Sequence, residues 1–424
     1  MKSSGQQIAP EATSADGVGT RIAEIGLTVL CSAIYFTSYM TRKGYDASIL
    51  AISEDTGLAR TALSLASTAA VAVYGTGQFV TGFLADRFDP RRLIFIALLI
   101  TAACNMSMTA FVGCIPAMVA LWAVNGFAQA MFWPPLVKII AANLDGEAYG
   151  RGVFWINVAA NCAIIMVFVL VSSCIRLAGW RLSFWIVSAM AAAIAAIWWI
   201  ASPRFAATIG ERPARGRAGV AGGQSLLMRI MVAGGLFYIM AAIACQGVMR
   251  DGIEVWAPSI LKDQYGLGTS GSTLSVAILP IFAIASMSVA RALRRRLGDE
   301  VKVAIALFGV GLACAAILYA TNGAVFAVGL PLLAILSATM HGVNLMLIAE
   351  LPGRFAKYGR VGSISGMLNA CNYVGAAISI YGFAALHERS SGWRAVFLLW
   401  MAVLSGAIVL TLLALRRQSR NGVG

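Results

Sequence analysis

Two arginines carry the chemistry that most needs explaining. Arg42 opens the string Arg42-Lys-Gly-Tyr-Asp46, and Arg250 opens Arg250-Asp-Gly-Ile-Glu254. Both strings read arginine, charged residue, glycine, bulky residue, acid, and their arginines lie 208 positions apart in a chain of 424. Long apolar runs precede both, the first beginning near Ile22. A charge at the centre of a membrane helix costs about 2.5–3.5 kcal/mol on insertion scales, so two at half-chain spacing call for a reason. Guanidinium is a planar fork that stays charged and matches carboxylate or phosphate oxygens in pairs. Two such forks, one from each half of a two-fold pseudo-symmetric protein, would repel each other when empty and be bridged by an anion. The competing reading places Arg42 at or just inside the end of its helix, marking the membrane interface, and pairs Arg250 with Asp251 or Glu254.

Other polar residues in apolar runs are further candidates. Tyr35 and Tyr39 lie one helical turn apart on the face leading to Arg42, and either hydrogen-bond an anion or pack. Gln78, Asn157, Asn161, Asn344, Asn369 and Asn372 are amides inside apolar stretches, suited to lining a cavity or to joining helices. His341, one of two histidines, either titrates with a ligand or bridges helices. Asp46, Asp251 and Glu254 are the acids near the arginines; they would carry a proton or balance charge. Trp133-Pro-Pro135 should kink its helix, because proline removes a hydrogen bond and clashes with the preceding turn. Lys138 reads as snorkelling to the membrane surface.

The elements that must position these residues are membrane helices. The chain is 59% hydrophobic and 12% charged, with mean hydropathy +0.81, against roughly 25% charged for a soluble protein. Runs such as 94–103 and 189–200 are apolar on every side, which favours helices over β-barrel strands. At about 20 residues per span, the expectation is an all-α membrane protein of twelve transmembrane helices in two pseudo-symmetric six-helix halves. The expected organisation is a cytoplasmic tail at 1–20, a six-helix bundle at 21–201, a polar linker at 202–225, a second bundle at 226–415 and a tail at 416–424. The first helix is expected over 22–43 and the seventh over 226–260. Two further repeats support the halves: Tyr149-Gly-Arg151 with Tyr358-Gly-Arg360, and Gly179-Trp-Arg181 with Gly392-Trp-Arg394. Basic residues cluster in alternate loops, which puts both termini and the linker in the cytoplasm and makes this an inner-membrane, multi-pass chain. The same clustering accounts for the net charge of +14 without nucleic acid. No signal peptide is expected, since residues 1–20 are polar. The eight cysteines show no CxxC pairing and read as small hydrophobes rather than as a disulfide or metal site.

The order of motifs resembles the organophosphate:phosphate antiporter branch of the major facilitator superfamily, which includes glycerol-3-phosphate and hexose-phosphate transporters. Tyr39-Met-Thr-Arg42-Lys43 resembles the first-helix motif of that branch, in which Tyr and Arg face the substrate. Val73-Tyr-Gly-Thr-Gly-Gln78, Gly82-Phe-Leu-Ala-Asp86-Arg87 and Pro90-Arg91-Arg92 resemble the second helix and the cytoplasmic loop signature of the superfamily. Phe132-Trp-Pro-Pro135 resembles the fourth-helix motif, and Arg250 with Trp256-Ala-Pro258 the seventh-helix motif. The resemblance implies a substrate site between the halves, near the membrane midplane. It also implies that Asp86, Arg87, Arg91 and Arg92 form a gate and loop-locking element that does not touch substrate.

Three departures stand out. Gln78 occupies the place of a lysine, Ala160 beside Asn161 that of a histidine, and apolar residues near Ala277–Ile278 that of a glutamate. The substrate-site expectation is therefore Arg42, Arg250, Tyr35, Tyr39, Gln78, Asn161, His341 and Asn372, acting on a small organic anion that is a phosphorylated metabolite or a carboxylate. Secondary transport is expected, with inorganic phosphate or a proton as counter-ion, in a monomer without cofactors. A transporter-like sensor of sugar phosphate, a proton-coupled organic-acid carrier and a drug carrier remain alternatives. The chain contains no GxxxxGK[ST] phosphate-binding loop, so ATP hydrolysis is not expected, and no constellation supports an enzyme.

Overall fold

The computed structural model describes residues 14–144, 146–205, 231, 234–321, 325–358, 361–390 and 392–420, and these are almost wholly helical. In the first half lie α1 (Ser14–Thr56), α2 (Arg60–Arg87), α3 (Pro90–Phe111), α4 (Ile115–Ala130), α5 (Trp133–Asn143), α6 (Gly146–Leu177) and α7 (Arg181–Ala201). The second half has α8 (Leu236–Tyr265), α9 (Thr269–Ser275), α10 (Leu279–Leu297), α11 (Glu300–Thr321), α12 (Phe326–Asn344), α13 (Val361–Ser390) and α14 (Arg394–Arg420). Among the described residues, ten helical segments are long and apolar enough to cross a membrane. Two more long helices, α2 and α13, lie where the halves meet and pack on each other. Large apolar side chains such as Val29, Phe154, Trp155, Ile200, Ile378 and Val409 stay exposed on the outside, as a lipid-facing surface requires.

Within the first half α1 packs on α6 and α7, α2 on α4, and α3 on α4 and α7. In the second, α8 packs on α13 and α14, α10 on α12, and α11 on α12 and α14. Besides the α2–α13 seam, the halves meet where α1 touches α8 and where α6 touches α9 and α10. Local chemistry repeats as the topology does. Asp89 caps α3 through the amide of Arg91 at 2.9 Å, and Asp299 caps α11 through the amides of Val301 at 2.7 Å and Lys302 at 3.1 Å. Burial raises both carboxyl pKa values, but hydrogen bonds from Arg91 and Arg354 outweigh it and hold both below the usual carboxylate range. At the other end, Trp180 donates to Asp55 and Trp393 to Asp263, both at 3.0 Å. Asp55 and Asp263 are 208 positions apart, the spacing of the two arginines.

Two boundaries correct the sequence reading. α1 does not stop near residue 43 but runs to Thr56. Its later polar residues find partners inside the protein: the Tyr45 hydroxyl donates to the Leu63 carbonyl at 2.9 Å, Ser48 donates to the Gly44 carbonyl at 2.7 Å, and Ser67 donates to Asp46 at 2.5 Å. The described part of the seventh span begins at Leu236, after Gly235 with φ +62°, and runs past the expected end to Tyr265. A side chain on Gly235 would also meet the Ala414 backbone at 3.2 Å. Most of the linker expected at 202–225 lies outside the described residues, as do Gly359 and Arg360 of the Tyr-Gly-Arg repeat; Ser202–Phe205 forms a short 3-10 turn. The fourth span breaks at Met131–Phe132, where the amides of both residues turn to carbonyls three residues back, 3.0 and 3.3 Å away. Trp133-Pro-Pro135 then restarts the helix, since proline at a first-turn position gives up no hydrogen bond.

Candidate functional site

With α1 continuing to Thr56, Arg42 stands fourteen residues inside the helix end, about 21 Å at 1.5 Å per residue. It does not stand at the helix end, where the competing reading put it. Arg250 is likewise near the middle of α8. The Arg42 guanidinium lies 4.1 Å from the centroid of the Tyr74 ring and 5.8 Å from that of Tyr39, within cation–π range of both. Among the described residues no carboxylate comes within 4.0 Å of it. Arg250, by contrast, donates through Nε at 3.1 Å and Nη2 at 2.7 Å to one oxygen of Asp251. The pairing with Asp251 raised as the plain alternative is therefore present.

Lys43, the expected last residue of the first helix and not among the expected site residues, is part of the same cluster. Its ammonium is 3.2 Å from Glu254, 3.9 Å from Asp46 and 4.0 Å from Asp251. Glu254 also meets His341 Nε2 at 3.3 Å, and His341 Nδ1 lies 3.1 Å from the Ser337 carbonyl. All these side chains are largely buried, with exposures from 6% for Asp251 to 18% for His341. Lys43 and Asp251 occupy equivalent positions of the repeat with opposite charge, so the halves attract across their interface where identical residues would repel. A cavity of about 20 Å³ opens beside Arg42, Lys43, Asp46, Tyr74, Gln129 and Asp251, room for about one water.

Amides and hydroxyls missed by the sequence reading hold Arg42's segment of α1. Asn105 donates to the carbonyls of Thr41 at 3.1 Å and Thr101 at 2.9 Å; Gln129 donates to the hydroxyls of Thr41 at 3.1 Å and Thr101 at 3.0 Å. Thr101 in turn donates to Asn125 at 2.5 Å. The signal was available: amides in apolar runs, the criterion applied to Gln78 and Asn161. In the second half, bare glycines set the position of Arg250. A side chain on Gly247 would come within 2.1 Å of the Asn372 carbonyl oxygen, and one on Gly252 within 2.3 Å of the Phe383 ring. α8 and α13 thus touch almost backbone to backbone before the arginine, at Gly247, and backbone to side chain after it, at Gly252, the close approach small residues permit in membranes.

The remaining candidates are dispersed. Tyr35 is buried against Tyr39 and Trp133, with ring centroids 5.2 Å apart in both cases. Gln78 accepts from Asn369 across the α2–α13 seam at 3.4 Å, beside Tyr373. Asn372 is fully buried, and its side-chain amide makes no hydrogen bond among the described residues. Asn161 donates to the Asn157 carbonyl one turn back at 2.8 Å and does not line the arginine cavity. Arg91 pairs with Asp89 at 2.8 Å and Arg92 is largely exposed, away from Arg42. The side chains of Asp86 and Arg87 lie outside the described residues.

One end of the interface between the halves is tied shut. Arg60 forks onto Asp263 at 2.5 and 3.0 Å, and Thr61 binds Glu388 through its amide at 3.0 Å and its hydroxyl at 2.5 Å. Ser172 meets Ser270, hydroxyl to hydroxyl, at 2.8 Å. Glu54 pairs with Lys262 and accepts from Thr269; Glu54 and Lys262 are again equivalent positions with opposite charge.

A two-half helical bundle with paired, symmetry-related charges at its centre narrows the family, and comparison with known proteins decides it. Residues 31–380 match the family described as Major Facilitator Superfamily. The chain belongs to that superfamily. Its organophosphate-branch resemblance extends to named relatives. A "Probable hexose phosphate transport protein" of Chlamydia trachomatis is 28% identical over 149 residues, 35% of this chain and 32% of that protein. The "Membrane sensor protein UhpC" of Escherichia coli is 28% identical over 159 residues, 37% and 36% of the two chains. These matches span about a third of each relative's length. Among solved structures, a bacterial homolog of the human lysosomal transporter Spinster, inward-facing and occupied, aligns over 93% of this chain and 97% of its own with a TM-score of 0.74 at 12% identity, a likeness of fold. The chain is thus a multi-pass membrane protein of a transporter superfamily, not an enzyme.

Proposed function

We propose that this superfamily member carries a small organic anion across the cell's inner membrane by alternating access, with Arg42 and Arg250 holding the anion between the halves. The observation that supports this most is the placing of two guanidinium groups at equivalent positions of α1 and α8, well inside both helices, with Asp251 between Arg250 and the neighbour of Arg42. Asp251 contacts Arg250 at 2.7 Å and Lys43, the neighbour of Arg42, at 4.0 Å. An arriving anion would bind the fork of Arg42, compete with Asp251 for Arg250 and draw the halves together. Tyr39 and Tyr74 hold Arg42 through their ring faces, and His341 and Lys43 hold Glu254. The tied end would then open by release of the Arg60, Glu54 and Ser172 contacts while the opposite end closes. This reading takes twelve spans, bundles at 21–201 and 226–415, a linker at 202–225, and both termini in the cytoplasm.

The test is uptake into proteoliposomes holding the purified chain, loaded with inorganic phosphate or left with a pH gradient, against a panel of sugar phosphates, glycerol phosphates, carboxylates and sulfonates. Arg250→Lys keeps the charge and removes the fork. Losing one charge-assisted hydrogen bond, about 1.5–3 kcal/mol, should weaken apparent affinity roughly tenfold to a hundredfold. Unchanged uptake kinetics in both Arg250→Lys and Arg42→Lys would overturn the clamp. Saturable binding without flux would favour a second reading, a transporter-like sensor, which the likeness to a membrane sensor protein supports.

A further inference from the structure

We infer that the site selects a singly charged anion, a carboxylate or sulfonate, over a phosphate ester dianion, and that Asp251 sets this selectivity. The inference rests on the anion-site reading above and deepens it. The cluster holds three cations, Arg42, Lys43 and Arg250, and three carboxylates, Asp46, Asp251 and Glu254; among the described residues His341 is ion-paired to it and the Tyr39 and Tyr74 rings face Arg42. With the three carboxylates ionised and His341 uncharged the empty site sums to zero. A phosphate monoester carries about −1.5 to −2 at pH 7, and placing it in a neutral, largely buried set leaves more than one uncompensated negative charge. A monoanion leaves only one, and Arg42 is placed to meet it. Arg42 faces tyrosine rings and has no carboxylate within 4.0 Å among the described residues. Arg250 already holds Asp251 through two nitrogens, and Lys43 is shared among three carboxylates. Asp251 is the acid that decides, because it is 6% exposed, walls the cavity beside Arg42 and occupies Arg250. A monoanion bound to Arg42 can share Arg250 with Asp251, but a dianion would need Arg250 freed, and freeing it strands Asp251 with Lys43 at 4.0 Å as its remaining partner.

The discriminating probes share a three-carbon skeleton and a tetrahedral head and differ in charge: sn-glycerol 3-phosphate, a dianion at pH 8, and 2,3-dihydroxypropane-1-sulfonate, a monoanion at every working pH. Affinities are read as competition for uptake, and by ligand-induced thermal stabilisation of the full chain in detergent, at pH 8. The wild type should bind the sulfonate at least roughly tenfold more tightly than the phosphate. Asp251→Asn, which keeps the shape and removes the charge, should shift that ratio toward the phosphate by about tenfold or more, and Asp251→Glu should keep the wild-type order. A wild type that prefers the phosphate overturns the inference whatever the variants do, and so does an Asp251→Asn ratio equal to the wild-type one. If neither probe nor any other anion of the panel binds, the anion-site reading falls and this inference falls with it; binding with the charge preference reversed removes the inference alone.

Discussion

Lys43 is the residue on which the central charges turn. Its ammonium is 11% exposed and faces Glu254, Asp46 and Asp251, so removing it leaves three carboxylates crowded in a desolvated space. Removing Glu254 is milder, because Lys43 keeps two acids. Breaking a buried ion pair from one side costs about 3–5 kcal/mol, while replacing both partners is often near neutral. Lys43→Met is therefore expected to lose stability in that range, Glu254→Gln less, and the double variant less than the sum of the two. Thermal unfolding of the detergent-solubilised protein, read as a double-mutant cycle, measures the coupling; strict additivity would show that the 3.2 Å contact contributes nothing. Arg42 and Arg250 were legible in the sequence because a charge after a long apolar run is costly wherever it sits. Lys43 was not, because its significance depends on where α1 ends, and polar residues from Gly44 to Asp55 imitate a loop.

At the scale of elements, the same ambiguity accounts for what sequence alone located and what it did not. Apolar runs, the break at Trp133-Pro-Pro135 and the repeat of Arg42 at Arg250 follow from local pattern, and ten helical segments of the described residues are long and apolar enough to span. Helix ends are different. The extension of α1 is decided by partners far along the chain, Leu63 for Tyr45 and Ser67 for Asp46, which no local window contains. Close packing is equally non-local: Gly247 and Gly309 look alike in sequence, yet a methyl group on the first would strike the Asn372 carbonyl oxygen at 2.1 Å and on the second would meet nothing within 4 Å. Gly247→Ala is therefore expected to push α13 from α8 and cost about 1–3 kcal/mol, as overpacking does. Gly309→Ala should be neutral or slightly stabilising, since alanine is the better helix former. Thermal stabilities of the two variants side by side check this, and equal melting temperatures would contradict the backbone contact. Because Gly247 lies three residues before Arg250, the same variant should also weaken anion affinity, joining the packing of α8 to the site it carries.

For the whole molecule, the question is how a bundle tied at one end moves. The contacts at that end are of two kinds. Glu54 with Lys262 and Arg60 with Asp263 are charge pairs, partly exposed, which individually contribute roughly 0–1 kcal/mol and can exchange for water as the end opens. Ser172 and Ser270 are neutral and meet directly, on α6 and α9 of opposite halves. This division suits a gate: weak, water-replaceable ties hold it shut. If the halves rock about the central arginines, the two serines must separate in each cycle, and a covalent link between them must stop transport without disturbing the site. A disulfide needs Cβ atoms about 3.5–4.5 Å apart, a separation compatible with hydroxyls at 2.8 Å. In Ser172→Cys/Ser270→Cys, oxidation should abolish uptake and reducing agent should restore it, while binding of the transported anion, measured by thermal stabilisation, persists from the side that stays open. The single-cysteine variants, run under the same oxidant, account for the eight native cysteines. Full transport by the cross-linked protein would mean that this end stays closed throughout the cycle, and alternating access about Arg42 and Arg250 would have to be abandoned.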